Sequence, residues 1–582
     1  MKDLLLTILL TFGLTTSLVL PVDADEDREI FTERSAELGV DFRHENGMTG
    51  QLYYVEITGA GAALFDSDND GDLDLYLVQG QRLGGPADPK LRDRFYKNEL
   101  VETGRLKFTD VTERSGLDAR GYGMGVATGD YDNDGDVDLY VTNYGANELW
   151  RNEGVKNGVA FFTDVTMTAG VGDSSWSLPA VFTDFDNDGW LDLYVGNYLE
   201  FRLHDNKVCP AATGERDYCG PLGFKPLTDR LFRGTTSGRF EDVTARSGLK
   251  DAANSMGVVT GDFDEDGGID FYVANDAMPN QLWLNQGALK FIDDALLGGC
   301  AFNLDGKPEG SMGLAAGDVD GDGRDDLFVT HIVRESNTLY LNRGQAAFLD
   351  GTVKSGLGTA SWLYTGFGTA FLDYDNDGDL DLLVANGAVQ NTDFGLFEKE
   401  SQDWIAPDLS PEWRLQQPNQ LLRNDGGRFT DVTAEAGAAF RRAEVSRGLA
   451  IGDLDNDGDA DAVVHNNHGP ARVLINEVGQ SKPWLGVRLV GAGSGDAPPR
   501  DMLGARAGVR QDGAWTWRQV RTEGSYASAH DPRLLFGLDV AEKQTVRVIW
   551  PGGLIEDFEK VEPESYSTLR QGDGKVVPPE SP

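Results

Sequence analysis

One nine-residue pattern, D-x-D-x-D-G-x-x-D, occurs seven times in this 582-residue chain and gathers most of its ligand chemistry. The first two copies supply Asp66, Asp68, Asp70, Asp72 and Asp74, then Asp130, Asp132, Asp134, Asp136 and Asp138. The third supplies Asp184, Asp186, Asp188 and Asp192 with Trp190 in seventh place, and the fourth Asp262, Asp264, Asp266 and Asp270 with Gly268 there. The fifth holds Asp318, Asp320, Asp322 and Asp326 with Arg324 in seventh place. The last two are Asp373, Asp375, Asp377, Asp379 and Asp381, and Asp453, Asp455, Asp457, Asp459 and Asp461. Carboxylates at positions 1, 3, 5 and 9 around a glycine at position 6 converge oxygens on one hard cation, and their mutual repulsion demands one. Calcium is the natural occupant, in up to seven structural sites. Position 7 tolerates Trp190, Gly268 and Arg324, so it must act through its backbone carbonyl.

An EF-hand loop opens with the same residues but needs a bidentate glutamate at position 12 and flanking helices. Position 12 here is Leu77, Val141, Val195, Val273, Val329, Val384 and Val464, all apolar and strand-compatible. That excludes the EF-hand.

The elements around the pattern must be strands. A glycine-rich apolar stretch such as Gly123–Ala127 precedes it, and an alternating segment such as Leu139-Tyr140-Val141 follows. Two more strand signals come next, Leu149-Trp150-Arg151-Asn152 and Phe162-Thr163-Asp164-Val165-Thr166, with echoes at Leu282, Leu339, Phe108, Phe240 and Phe429. Four short strands per unit, repeated seven times, predict an all-β, seven-bladed propeller over residues 25–478. The last unit lacks its fourth strand, whereas an orphan Ile30-Phe31-Thr32-Glu33 stands before the first. The N-terminal strand is therefore expected to complete the seventh blade and lock the ring.

Charge narrows the function. Ninety-six acidic residues against 51 basic ones give −45, a field that repels nucleic-acid phosphates and anionic lipid headgroups. Residues 482–582 hold 14 acids and 13 bases, so −44 of that charge lies before them. Lys2, the apolar run Leu4–Leu20 and the small-residue site at Val22-Asp23-Ala24 read as a secretory signal over residues 1–24, with an uncleaved N-terminal anchor as the alternative because Asp3 stands beside the only base of the n-region. No later segment is long and apolar enough to span a bilayer. A secreted or periplasmic location is expected. Cys209 and Cys219 flank a short insert and suit a disulfide in an oxidising compartment, while Cys300 is expected to be buried.

With these residues in view, the first part resembles the FG-GAP/VCBS repeats of integrin α-type propellers, in which the same aspartate pattern holds calcium between the first two strands of a blade. Residues 482–575, through Gly504-Ala505-Arg506, Gly524-Ser525-Tyr526 and Trp550-Pro551-Gly552-Gly553, resemble an ASPIC/UnbV domain. Together they suggest the cartilage-acidic-protein-like family of secreted proteins. Two departures stand out: Glu265 replaces the usual Asn at position 4, and Gly234 replaces the Asn that ends the third strand.

The C-terminal segment alternates as a small sandwich-like β-domain, with Arg488, Arg506, Arg510, Arg518, Arg521 and Arg547 on or beside its strands, and residues 576–582 form a tail expected to be disordered. The basic face could bind an anionic glycan or dock on the acidic propeller. On the propeller, the loops 79–97, 197–228 and 387–418 are long. The second carries Tyr198, Phe201, Tyr218 and Phe224, and the third Phe394, Phe397, Trp404 and Trp413. These rings either recognise a sugar or protein surface or pack the inserts down. Position 14 after each pattern start is Gln79, Asn143, Asn197, Asn275, His331, Asn386 or Asn466, which either satisfies backbone at a strand end or forms a polar ring around the channel.

Catalysis finds little support. His465 and His468 form the one close histidine pair, and there is no Gly-x-Ser-x-Gly, Walker or Cys-x-x-Cys motif. The reading is a calcium-binding propeller that recognises an extracellular glycan or protein. The alternatives are an extracytoplasmic enzyme acting on polysaccharide, or an accessory protein of a biosynthetic or surface-assembly system.

Overall fold

The computed structural model describes residues 29–211, 214–391, 413–493, 499–511 and 513–578. The expected signal segment at 1–24 and Phe394, Phe397 and Trp404 lie outside these residues, as does the side chain of Trp413. Among the described residues there are seven four-stranded antiparallel sheets, and each begins with a largely apolar strand that turns through a nonamer into the second strand. Blade 1, for example, runs Ala62–Phe65, Asp74–Leu77, Arg94–Asn98 and Phe108–Asp110. Blade 2 runs Gly123–Gly129, Asp138–Asn143, Glu148–Lys156 and Val159–Asp164. The innermost strands contact one another in turn, and the strand of blade 7, Ser446–Gly452, touches both its blade 6 neighbour Gly366–Leu372 and Ala62–Phe65 of blade 1. The ring is closed.

Closure depends on the N-terminal strand. Phe31–Glu33 pairs antiparallel with Arg472–Asn476, Phe31 opposite Asn476, and supplies the fourth strand of blade 7. A separate buried apolar cluster fills each gap between adjacent blades, for instance Leu64, Leu75, Ala450 and Val463 between blades 1 and 7. Each repeat thus buries its apolar face against its neighbours.

The asparagine that ends most third strands adds a polar tie between blades. Asn152 Nδ2 donates to the Ser67 carbonyl of the previous blade at 2.8 Å, and Asn98, Asn285, Asn342, Asn424 and Asn476 repeat the bond. Gly234 forgoes it, because a Cβ there would stand 2.2 Å from the Leu191 carbonyl oxygen.

Residues 484–576 build two further sheets. One is three-stranded, with Trp484–Val490 antiparallel to Leu534–Gly537 and parallel to Tyr566–Arg570. The other is five-stranded and contains Ala514–Gln519, Arg506–Gln511, Gln544–Ile549, Ile555–Val561 and Lys575–Val576. Val487, Val509, Val546, Val548 and Trp550 form their common core, which is continuous with the apolar cluster between blades 2 and 3.

Between these sheets the chain sends residues 522–531 into the centre of the propeller. There Leu64 N–H donates to Ala529 O at 3.1 Å, Val126 N–H to Ala527 O at 3.2 Å and Leu314 N–H to Ser525 O at 2.9 Å. Inner-strand glycines make the room. A Cβ at Gly61 would lie 2.1 Å from the Ala527 carbonyl oxygen, and one at Gly125 2.8 Å from Ala527 Cβ.

Candidate functional site

All seven nonamers sit on one face of the ring. Each loop is coiled by two left-handed residues, position 4 (Asn69 φ 60°, Asn133 φ 57°) and the glycine at position 6 (Gly71 φ 98°, Gly135 φ 93°). Glycine adopts this region freely and asparagine tolerates it, which accounts for both residue types.

Within the coil the carboxylates divide the work. Asp66 at position 1 accepts the Asp70 N–H through Oδ1 at 3.1 Å and the Gly71 N–H through Oδ2 at 3.2 Å. Asp130, Asp184, Asp318, Asp373 and Asp453 do the same in their loops. Asp138 at position 9 is a staple: Oδ2 accepts the Tyr131 N–H at 3.1 Å, and Oδ1 the Asn152 N–H of the third strand at 2.8 Å. At position 7, Asp72, Asp379 and Asp459 accept backbone N–H groups of neighbouring segments, each through Oδ2. In Asp72 and Asp459 this leaves Oδ1 buried and without a hydrogen-bond partner, so in those loops the side chain as well as the backbone carbonyl is available to a ligand.

Position 3 shows the same feature in more loops. Oδ1 of Asp68, Asp132, Asp186, Asp320, Asp375 and Asp455 is buried without a hydrogen-bond partner, as is Asp262 Oδ1 in the fourth loop. Oxygens of Asp130, Asp132 and Asp138 lie within 4.8 Å of one another, and the same holds for Asp184, Asp186 and Asp192 and for Asp262, Asp264 and Asp270. An unpaired buried acceptor facing other carboxylates is costly, and a hard divalent cation with oxygen ligands removes that cost. The donor set therefore fits calcium. Burial, with neighbouring carboxylates adding to it, pushes Asp130 up to about 7, Asp270 up to about 8 and Asp381 up to about 9.

The loops are not equivalent. In the first, Lys97 pairs with Asp68, with Asp70 at 3.2 Å and with Glu102 at 2.8 Å. In the third, Arg233 pairs with Asp186 at 2.8 Å and with Asp188, and in the fifth Arg343 lies 3.0 Å from Asp320 and 3.1 Å from Asp322. Among the described residues no lysine or arginine pairs with positions 3 or 5 of the second, fourth or seventh loop.

Two sets of contacts tie the loops together. Position 4 reaches the next blade: Asn69, Asn133, Asn376 and Asn456 donate to the position 6 carbonyls of Gly135, Gly189, Gly458 and Gly71. Glu265 replaces that bond with an ion pair, 3.1 Å from Arg324 of the fifth loop. From above, the C-terminal module adds arginines. Arg506 donates to Gly323 O at 2.7 Å, Arg518 to Gly378 O at 2.9 Å, Arg533 to Gly71 O at 3.2 Å and Arg500 to Gly189 O at 3.3 Å. Arg521 pairs with Asp325, and Arg488 lies 3.6 Å from Asp66. Docking accounts for Arg488, Arg506, Arg518 and Arg521, whereas Arg510 and Arg547 lie over the Trp515 ring instead. Strand alternation marks these residues as arginines on a β-domain, but only the assembled fold reveals Arg500 and Arg533 as loop caps.

The described parts of the long inserts lie on the opposite face. Cys209 and Cys219 form a disulfide, and Cys300 is buried and free. Tyr198, Phe201 and Tyr218 are buried and Phe224 stacks on Tyr54 with centroids 5.7 Å apart, so these rings pack the insert onto the channel mouth. The position 14 residues are buried strand-end ties: Asn143, Asn275, Asn386 and Asn466 donate to the carbonyls of Ala146, Pro279, Pro418 and Pro470. His465 contacts the Gly61 carbonyl rather than His468, with burial pulling it down to about 4.

Two buried charges at this end of the channel escape sequence reasoning. Asp276 accepts the hydroxyls of Tyr198 and Tyr54 and is pushed up to about 6 by burial. Arg447 donates to the carbonyls of Ile57, Gly387, Ser446 and Ala388, and its guanidinium lies 3.8 Å from the Phe367 ring centroid. Tyr526 of the inserted segment packs against the same Phe367 ring, with centroids 4.9 Å apart. No spacing rule predicts these residues, because they come from different blades and from the second module.

Both parts of the chain match known family models. A model described as "FG-GAP-like repeat" matches residues 130–195, 262–329 and 318–384, and one described as "ASPIC and UnbV" matches residues 495–576. Cartilage acidic protein 1 of Mus musculus is 25% identical over 548 residues, covering 88% of this chain and 73% of that protein. The Homo sapiens protein is also 25% identical, covering 88% and 71%. Among solved structures, the WD40 β-propeller domain of Doa1 aligns with 73% of this chain and 95% of its own at 10% identity and a TM-score of 0.35. The BP39L lectin from Burkholderia pseudomallei aligns with 72% and 96% at 10% identity and a TM-score of 0.36.

Proposed function

We propose that this chain, an FG-GAP-repeat propeller carrying an ASPIC and UnbV domain and similar along most of its length to cartilage acidic protein 1, is an extracytoplasmic calcium-stabilised binding protein. In this reading residues 1–24 are a cleaved leader, 25–478 the propeller and 482–575 the second module. The observation that carries the cation assignment is the buried Oδ1 at position 3 that accepts no hydrogen bond, repeated in six loops. Positions 1, 3, 5 and 9 and the position 7 carbonyl would hold the ion, which supplies charge neutralisation to a coil otherwise strained by its own carboxylates. The ions are structural.

The C-terminal module covers the cation-loop face and its residues 522–531 fill the channel, which leaves the insert-bearing face as the surface for an extracellular glycan or protein. The disulfide there supports an oxidising compartment. The test is retention of the purified protein on a polysaccharide panel in calcium and in chelator, with released sugar ends measured in parallel. Calcium-dependent retention without products is expected. Product release that titrates with protein would replace this reading with an enzyme, and an unchanged melting temperature in chelator would remove the metal.

A further inference from the structure

A cavity of 440 Å³ lies where blades 1 and 2 meet the C-terminal module. It falls within the range of about 300–1,000 Å³ in which small ligands bind, and it sits at a domain junction, where such sites concentrate. Its apolar lining includes Leu191, Val137, Trp484 and Leu503.

The polar groups that line it are unequally satisfied. Arg488 is held by Asp501 at 2.6 and 3.1 Å, and Arg533 by Asp531 at 2.9 and 3.1 Å. Arg500 is not matched in this way. Its side chain is 10% exposed, and one nitrogen, Nη2, makes both its 3.3 Å bond to the Gly189 carbonyl and its 3.9 Å approach to Asp184. Nε and Nη1 have no protein partner among the described residues. Thr128, which also lines the cavity, is buried with its hydroxyl unpaired. Asp66 and Asp130 are committed to their own loops through the Gly71 and Gly135 N–H groups, and Glu564 is exposed.

We propose that this cavity binds a small amphipathic organic acid, its carboxylate on Arg500 and its apolar body against Trp484 and Leu503. A buried guanidinium with free donors pairs bidentately with a carboxylate, and an apolar wall favours an alkyl or aryl body over a sugar. The proposal rests on the calcium reading only in that calcium would neutralise Asp66 and Asp130 beside the site.

The test uses the neutral probe N-phenyl-1-naphthylamine, bound to the full chain and displaced by octanoate or by 1-octanol. Octanoate is expected to displace it at concentrations at least about tenfold lower than octanol, the equivalent of one charge-assisted bond. Arg500→Gln should retain the probe and lose that preference, Arg500→Lys should keep part of it, and Leu503→Trp should lose the probe itself. Equal displacement by acid and alcohol in the unmodified protein overturns the proposal, as does a preference that survives Arg500→Gln. The same comparison in chelator separates the two readings. A preference that persists while the melting temperature is unmoved keeps the acid site and removes the calcium.

Discussion

The oxygens that govern each loop are protonated too readily for free aspartates. In the metal-free protein, burial foremost and neighbouring carboxylates second lift Asp130 to about 7, Asp270 to about 8 and Asp326 to about 8. The unfolded value is about 3.9, so between about pH 4 and pH 8 the folded metal-free chain holds more protons than the unfolded one. Its stability must therefore fall as pH rises through that window. A cation competes with those same protons, so its stabilisation must grow over the same window. The difference in melting temperature between calcium and chelator should be small near about pH 5 and largest near about pH 8. A difference that stays constant across the range would separate these carboxylates from cation binding.

At the scale of elements, the inserted segment 522–531 explains the glycines at 61, 125 and 448 beside or within the inner strands. Gly61 and Gly125 admit the Ala527 backbone, and Gly448 lies against Ser528 Oγ, 2.8 Å from where its Cβ would be. Gly125→Val would drive a branched side chain into the Ala527 and Leu178 carbonyls, whose oxygens stand 2.9 Å from that Cβ, and should cost about 1–3 kcal/mol. Denaturant titration gives the loss. Limited proteolysis should then cut within 522–531, and if that segment stays protected at unchanged stability, it is not held by these strands.

For the whole molecule, the decisive elements are the two ends of the propeller chain. Phe31 is fully buried in the cluster between blades 6 and 7, with its ring 5.7 Å from that of Phe440, and its strand supplies the last sheet edge. Phe31→Ala should destabilise the protein by about 3–5 kcal/mol, read by urea denaturation, because the cavity opens at the joint on which ring closure depends. A loss near zero would mean that the ring stays shut without that strand. The second module closes the molecule the other way, since arginines from one small domain cap the loops of blades 1, 3, 5 and 6 and hold them as one surface.

Local, repeated chemistry was legible in the residues themselves. The aspartate nonamers, the four strands of each unit, the strand borrowed from the N-terminus and the Cys209–Cys219 pair each depend on short-range spacing or on a missing element in a counted series. Spacing also separated the loop from an EF-hand, because Val141 and its equivalents belong to a strand. The tertiary structure decided everything that required residues from distant segments to meet. Lys97 and Arg233 enter their loops from the third strand, Arg500 and Arg506 reach carbonyls more than 180 residues earlier, and Tyr526 fills a channel that its own domain does not form. The aromatic rings at 198–224 show the same limit, since composition gave them equal claims to a partner surface and to packing. Their burial against Tyr54 and Trp176 follows from where the insert folds back across the ring, which no local pattern encodes.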